Sequence, residues 1–317
     1  MKTKLISQLI LLIFISHTSF GQVTEPEKTL RSVSADTIIG WKTGGVFSVN
    51  LAQTSLTNWS SGGQNSVAVN GLFSAFARYT NKKSLWDNSL DLGYGLLKQG
   101  SASDLMKTDD KVDFLSKYGR QAFNKFYYAI LFNFKTQMSP GYKYPDTENK
   151  ISDFFSPASV TLAIGLDYKP NSYFSAFVAP LTLKSTFVTD KKLSDIGAFG
   201  VTPGETMLNE FGGYARFIYS RNDFKNELLK NVSFTTKIDL FSNYIKNPQN
   251  IVVNWETLLA FKINKFLSAS IMTQIMYDDK IQIPDDKNGN GILETGESVR
   301  SKVQFKEILG VGFSYNF

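Results

Sequence analysis

The sequence predicts an all-β chain: a single antiparallel up-and-down transmembrane β-barrel of about 12 strands behind an N-terminal signal peptide. Three observations predict it. The final strand alternates an apolar face with a small and polar one. The connections separate by length, short at one end of the strands and long at the other. Beyond the N-terminus, no apolar run approaches the roughly 20 residues that a membrane-crossing helix needs.

The N-terminal elements come first. Lys2 and Lys4 precede an apolar run at positions 9–15, and the small residues Ser19 and Gly21 follow. A charged start, a short apolar stretch and a small-residue cleavage site read as a secretory signal peptide over 1–21, cut near Gly21-Gln22. Residues 22–39 are polar and charged, with Glu25, Pro26, Glu27, Lys28, Arg31 and Asp36. They read as a flexible periplasmic leader. Residues 40–317 read as the barrel.

From Trp41 onward the chain resolves into segments with period-two alternation, the mark of strands with one face in an apolar medium. The first strand carries Trp41, Phe47, Val49 and Leu51 on its apolar face. The second carries Val67, Val69, Phe73 and Tyr79, with Leu72 and Phe76 blurring the pattern. The third is sharp, with Trp86, Leu90, Leu92, Tyr94 and Leu96. The fourth is weaker, with Val112, Phe114 and Tyr118. The fifth carries Phe126, Tyr128, Ile130, Phe132 and Phe134, and the sixth Ala158, Val160, Leu162, Ile164, Leu166 and Tyr168. In the seventh, Tyr173, Phe177, Ala179, Leu181 and Leu183 form the expected apolar face, with Pro180 on the other. The eighth carries Phe211, Ala215, Phe217 and Tyr219, and the ninth Val232, Phe234, Ile238, Leu240 and Tyr244. The tenth carries Ile251, Val253, Trp255, Leu259, Phe261 and Ile263, and the eleventh Leu267, Ala269, Ile271, Ile275 and Tyr277.

The closing strand reads Val303, Phe305, Glu307, Leu309, Val311, Phe313, Tyr315, Phe317 on one face, and Gly310, Gly312, Ser314, Asn316 on the other. An apolar face toward lipid and a polar face toward a lumen give this alternation. Glu307 falls near the outer interface, where a charge costs little.

The joints test the topology independently. Even-numbered joints are short, at Asn81-Lys82-Lys83, Phe123-Asn124, Pro170-Asn171-Ser172 and Asn264-Lys265, with Arg221–Asn231 the longer one. Odd-numbered joints are long, at Thr54–Gln64, Gln99–Asp109, Ser139–Phe155, Ser185–Thr206 and Asp278–Ser301, with Lys246–Gln249 the exception. Short turns inside and long loops outside are what a bacterial barrel shows. A soluble sandwich has no reason to sort its loops by parity.

Composition then limits the chemistry. The chain has no cysteine and one histidine, His17, which leaves with the signal peptide. Ser-His and Cys-His catalysis are excluded, as are zinc or haem sites built from imidazole or thiolate. The chain is therefore not expected to be an enzyme. A net charge of +6, scattered along the sequence, gives no case for nucleic-acid binding.

Several segments occur in order: Leu90-Asp91-Leu92-Gly93-Tyr94-Gly95-Leu96, Lys107-Thr108-Asp109-Asp110-Lys111, Phe134-Lys135-Thr136-Gln137, Asp167-Tyr168-Lys169-Pro170-Asn171, Leu240-Phe241-Ser242-Asn243-Tyr244 and Gln304-Phe305-Lys306-Glu307. On these residues the chain resembles a family of uncharacterised Bacteroidota outer-membrane barrels, known only as a domain of unknown function of the DUF3078 kind. The resemblance covers roughly residues 40–317 and implies a fold and an outer-membrane location. It implies no activity.

One local motif carries possible chemistry. Residues 286–297 fit the twelve-residue calcium loop D-x-[DN]-x-[DN]-G-x5-E. Asp286, Asn288 and Asn290 supply side-chain oxygens, Ile292 a backbone carbonyl, Glu294 a direct or water-mediated ligand, and Glu297 the bidentate carboxylate. Ca2+ is the expected ion, bound weakly because two ligands are neutral amides. An ordinary solvated turn is the alternative.

The expected lumen face mixes Arg78, Asp87, Asp91, Lys117, Lys125, Lys135, Asp167, Glu210, Arg216, Lys237, Asp239, Glu256 and Lys262. With no dominant sign, a salt-bridged interior is favoured over an ion path. Trp41 and Trp86 read as interface anchors, and Trp59 as a loop aromatic. Two functions stay open. One is a small-solute pore or transport channel. The other is a non-conducting barrel with calcium-ordered external loops, acting as a scaffold or partner-binding part of an envelope assembly. Outer-membrane lipid is the expected surrounding, and the oligomeric state is not readable.

Overall fold

The computed structural model describes residues 39–56, 64–100, 105–221, 223–264, 267–284 and 298–316. The expected signal peptide and leader lie outside them. The strands are β1 (Gly40–Thr54), β2 (Ser66–Thr80), β3 (Ser84–Gln99), β4 (Met106–Phe123), β5 (Phe126–Thr136), β6 (Gly141–Tyr142), β7 (Lys150–Ser152) and β8 (Ala158–Tyr168). They continue with β9 (Phe174–Phe187), β10 (Met207–Arg221), β11 (Val232–Asn243), β12 (Ile251–Lys262), β13 (Leu267–Tyr277), β14 (Gln282–Pro284), β15 (Val299–Ser301) and β16 (Gln304–Asn316).

Twelve of them close into one antiparallel barrel in the order β1-β2-β3-β4-β5-β8-β9-β10-β11-β12-β13-β16, with β16 returning to β1. Each is the neighbour of the barrel strand before it in sequence, which makes the topology up-and-down. Closure pairs every barrel strand with a neighbour on both sides, although the β1–β16 ladder is short. The remaining four strands form two small hairpins, β6 with β7 and β14 with β15, inside long loops. A short helix α1 (Lys191–Asp195) lies in the β9–β10 loop, capped by the Asp190 side chain, which accepts from the Leu193 N–H at 3.1 Å. Among the described residues no helix is long and apolar enough to cross a membrane.

Short turns lie at the end where β1 begins and long loops at the other. Two expectations need correction. The fourth strand starts at Met106, so Lys107–Lys111 is strand and the preceding loop is shorter than the Gln99–Asp109 joint suggested. That start carries charged side chains on both faces, which hid it from an alternation test. The seventh strand changes face in its middle. Ile164 pairs with Leu181 and Leu166 with Val178, so Ala179 and Pro180 together oppose Gly165. A β-bulge inserts one residue and shifts every later side chain to the opposite face. Pro180, having no N–H, is suited to the unpaired position. Phe177 and Ala179 are therefore buried inside, while Val178, Leu181 and Leu183 are exposed outside.

On β5 and β8 the expected apolar faces do point outward. Tyr128, Ile130 and Phe132 on β5, with Leu162, Ile164 and Leu166 on β8, are exposed large hydrophobics. At the short-turn end the aromatics cluster on this outer surface. The Trp41 ring lies 5.4 Å from Tyr79 and 5.5 Å from Trp86, and Phe126 stacks on both Phe123 and Tyr168. The Trp86 indole N–H donates to Ser116 at 2.9 Å. Rings with one apolar face and one polar tip suit a boundary between hydrocarbon and water.

Candidate functional site: the barrel lumen

Inward-facing side chains fill the lumen unequally along its length. In the short-turn half, Leu131 and Phe177 are fully buried and pack with Ala129, Ala163 and Ala179. Beside them runs a chain of charges. The Lys117 ammonium lies 2.6 Å from Asp167 and 5.7 Å from the centre of the Phe177 ring. Ser175 donates to the other Asp167 oxygen at 2.7 Å. Lys169, in the β8–β9 turn, reaches Asp87 on β3 at 3.1 Å and Asp167 at 3.6 Å. Arg78 on β2 closes the chain against Asp87 at 3.8 Å. Because β4 and β5 separate β3 from β8 in the wall, the Lys169–Asp87 contact cuts a chord through the lumen. The Leu72 and Phe76 that blurred the second strand also face inward. Leu72 lines the lumen, and Phe76 is buried with the Arg78 guanidinium 5.0 Å from its ring centre.

At mid-height a second network joins β10, β11 and β12. The Tyr214 hydroxyl donates to Asp239 at 2.5 Å, Arg216 lies 3.6 Å from the same carboxylate, and Lys237 lies 3.1 Å from Glu256. On the facing wall Asp113 accepts from Asn133 at 2.7 Å and sits 3.6 Å from Lys135. Most of the mixed signs expected of the interior are thus resolved as ion pairs, but Lys125 lies exposed in the β4–β5 turn, Lys262 is exposed at the end of β12, and Asp91 accepts from the Ser74 hydroxyl at 2.6 Å.

In the long-loop half a cavity of about 810 Å³ remains open. Leu72, Leu97, Met272 and Met276 give it apolar patches, and Asn70, Asn254 and Gln274 give it amides. Its charges are Asp109, Asp110, Lys111, Asp113, Lys135, Glu256, Lys306 and Glu307. Lys306 of β16 lies 3.2 Å from Asp109 of β4, a second pair that spans the lumen.

The long-loop rim is tied down. Asp110 accepts from the Met138 N–H at 2.7 Å, the Ser139 N–H at 2.9 Å and Lys107 at 2.9 Å. Gln137 donates to the Asp153 and Ser156 carbonyls. Lys107 also donates to the Gln137 side-chain oxygen at 3.3 Å, so two of the segments that carry the family resemblance meet here and pin the loop between β5 and β8 to the wall. That loop in turn holds the next one: Lys150 pairs with Asp153 and Asp190, and the Ser156 hydroxyl accepts from the Asp190 N–H at 2.8 Å. Hydrogen bonding from Leu193 N–H holds the Asp190 carboxyl below its ordinary range. Across the rim, Lys280 bridges Glu210 at 3.1 Å and Asp278 at 3.0 Å. Burial alone would raise the Asp278 carboxyl, but Lys184 and Lys280 outweigh it and hold it low.

The predicted calcium ligands Asp286, Asn288, Asn290, Ile292, Glu294 and Glu297 lie outside the described residues, as does Trp59. What the structure does describe is the base of that segment, where Pro284 pairs with Val299 and brings its two ends together. Among the described residues no group of three or more acidic or imidazole side chains is placed to hold a metal ion. Sequence reasoning missed Lys169 and Asp278 as interior partners, since turn residues carry no alternation, and missed Asp110 because a paired carboxylate reads as an ordinary surface charge.

No curated protein matches the chain. Among solved structures, the COG4313 outer membrane channel from Pseudomonas putida F1 is similar over 89% of this chain and 97% of its own, at 11% identity and a TM-score of 0.39. Residues 51–142, from the end of β1 through β5 to the first residues of the pinned loop, match the family described as protein of unknown function (DUF3078).

Proposed function

We propose that the chain is an outer-membrane β-barrel that holds no open aqueous pore at rest and presents a solvent-filled vestibule and anchored loops at its outer end. The outward apolar bands and the two aromatic clusters at the short-turn end support a lipid surrounding. A barrel wall also answers the demand of hydrocarbon that backbone groups be paired internally. One observation carries the non-conducting reading: the Lys117–Asp167–Lys169–Asp87 chain and the buried Leu131 and Phe177 occupy the lower lumen. The purified protein in a planar bilayer should insert silently. Steady conductance in every insertion event would overturn this reading. It would restore the small-solute pore, which the cavity in the long-loop half favours.

The vestibule rim and the pinned loops are the surfaces for an envelope partner, and no catalytic or nucleic-acid role is assigned. Calcium binding by Asp286–Glu297 belongs to the same proposal. An external loop with two amide ligands fits the weak extracellular range, with a Kd on the order of 10⁻⁴–10⁻³ M. Calcium should slow proteolysis between β14 and β15 without changing barrel stability, and Glu297→Gln should abolish that protection. Calorimetry showing no uptake at several times about 10⁻³ M would refute it.

A further inference from the structure

The barrel wall is not equally paired all round. β1 is hydrogen-bonded to β2 along its whole length, from Gly40↔Thr80 to Thr54↔Ser66. β16 is likewise paired to β13 from Gln304↔Met276 to Phe313↔Leu267. Between β1 and β16, however, the ladder among the described residues runs from Val46↔Asn316 to Val49↔Phe313. Continued in register, the next partners would be Asn50 with Gly312 and onward to Thr54 with Ile308, and those residues are strands without that pairing. Each is held by its other neighbour, so the seam divides between two well-anchored strands rather than at a frayed end.

The unpaired stretch coincides with the cavity. Ala52, Gln53 and Thr54 line it from one side of the seam, and Lys306 and Glu307 from the other. On the outside the flanks are apolar: Leu51 is 73% exposed and Phe305 63%. Unpaired backbone donors and acceptors facing hydrocarbon are strongly disfavoured. The division is tolerable where the polar vestibule, or a molecule passing through, supplies partners.

We propose that the β1–β16 seam is a lateral opening between the vestibule and the outer half of the membrane, and that it admits a single-chain amphiphile with a zwitterionic head. The inference rests on the outer-membrane reading above. Leu72, Leu97, Met272 and Met276 give the cavity an adaptable apolar lining for a chain. Lys306 and Asp109, 3.2 Å apart and both partly exposed, offer one charge of each sign to a head that carries both. A volume of about 810 Å³ suits one such molecule.

The chain lacks cysteine, so engineered pairs report cleanly. In nanodiscs, Ser48→Cys with Ser314→Cys, within the paired register, should form a disulfide on mild oxidation. Ala52→Cys with Gly310→Cys should not. Equal cross-linking of the two pairs overturns the opening, whatever the bilayer recording shows. A fluorescent lysophosphatidylcholine should slow maleimide labelling of Ala52→Cys by roughly tenfold near saturation. Lys306→Met with Asp109→Asn should remove that protection while leaving the Ser48–Ser314 cross-link intact. Absence of protection in the otherwise native lining, or equal protection by a fluorescent fatty acid, overturns the zwitterionic amphiphile. A conducting barrel with a divided seam would overturn only the closed-lumen reading.

Discussion

Gly165→Ala should cripple folding of the barrel, although it adds a single methyl group to a strand. Gly165 faces the lumen on β8, opposite the bulge that Pro180 creates in β9. A Cβ built on it would lie 2.0 Å from the Val178 carbonyl oxygen and 2.5 Å from the Ala179 Cα. Both are backbone atoms, so no rotamer change relieves the clash. Either β9 moves away from β8, breaking ladder bonds, or the bulge is lost and Phe177 turns to the outer face. Overpacking of this kind costs about 1–3 kcal/mol and more where backbone must move. Gly71→Ala is the control, because its nearest non-local atom, the Tyr94 carbonyl oxygen, would sit 3.9 Å from the new Cβ. Refolding into micelles, followed by heat-modifiable gel migration and urea titration, measures both. Equal stability of the two variants would show that β8 and β9 do not approach so closely.

The same bulge marks the boundary of what the sequence could disclose. Strand positions were legible because an apolar outer face and a polar inner face impose a two-residue period, and β5 and β8 keep it without interruption. Loop parity was legible for a similar reason, since the two ends of the barrel have different tasks. Phe177 was misplaced because alternation assumes unbroken pairing, and only Pro180 hinted that the period was reset. Leu72 and Phe76 looked like noise for a related reason. An interior that is partly packed needs apolar residues on the polar face, and alternation cannot tell packing from error. Partners across the lumen were beyond reach. Lys169 and Asp87 are far apart in sequence, and only the curvature of the closed sheet brings them to 3.1 Å. The short β1–β16 ladder left no trace in composition either, because both strands alternate as well as the rest. The calcium motif was the clearest local pattern in the chain, yet a motif fixes ligand order and not occupancy.

Asp167→Asn should be the most damaging of the conservative substitutions in the lumen. The carboxylate is buried between Lys117 at 2.6 Å and Lys169 at 3.6 Å, with Ser175 donating at 2.7 Å. Neutralising it leaves Lys117 beside Phe177 with no carboxylate at contact distance, while Lys169 keeps Asp87. Removing one member of a buried pair typically costs about 3–5 kcal/mol, because the remaining charge stays desolvated. Lys117→Met in the same chain should recover most of that loss, since it removes the stranded charge and keeps an unbranched side chain in its place. A double-mutant cycle should therefore show coupling of about 2 kcal/mol or more. The result also bears on the lumen itself. Where water fills a barrel, an ion pair is screened and its loss costs only about 0–1 kcal/mol. A small effect for Asp167→Asn would mean that the lower lumen is hydrated, and the non-conducting reading would fall with it.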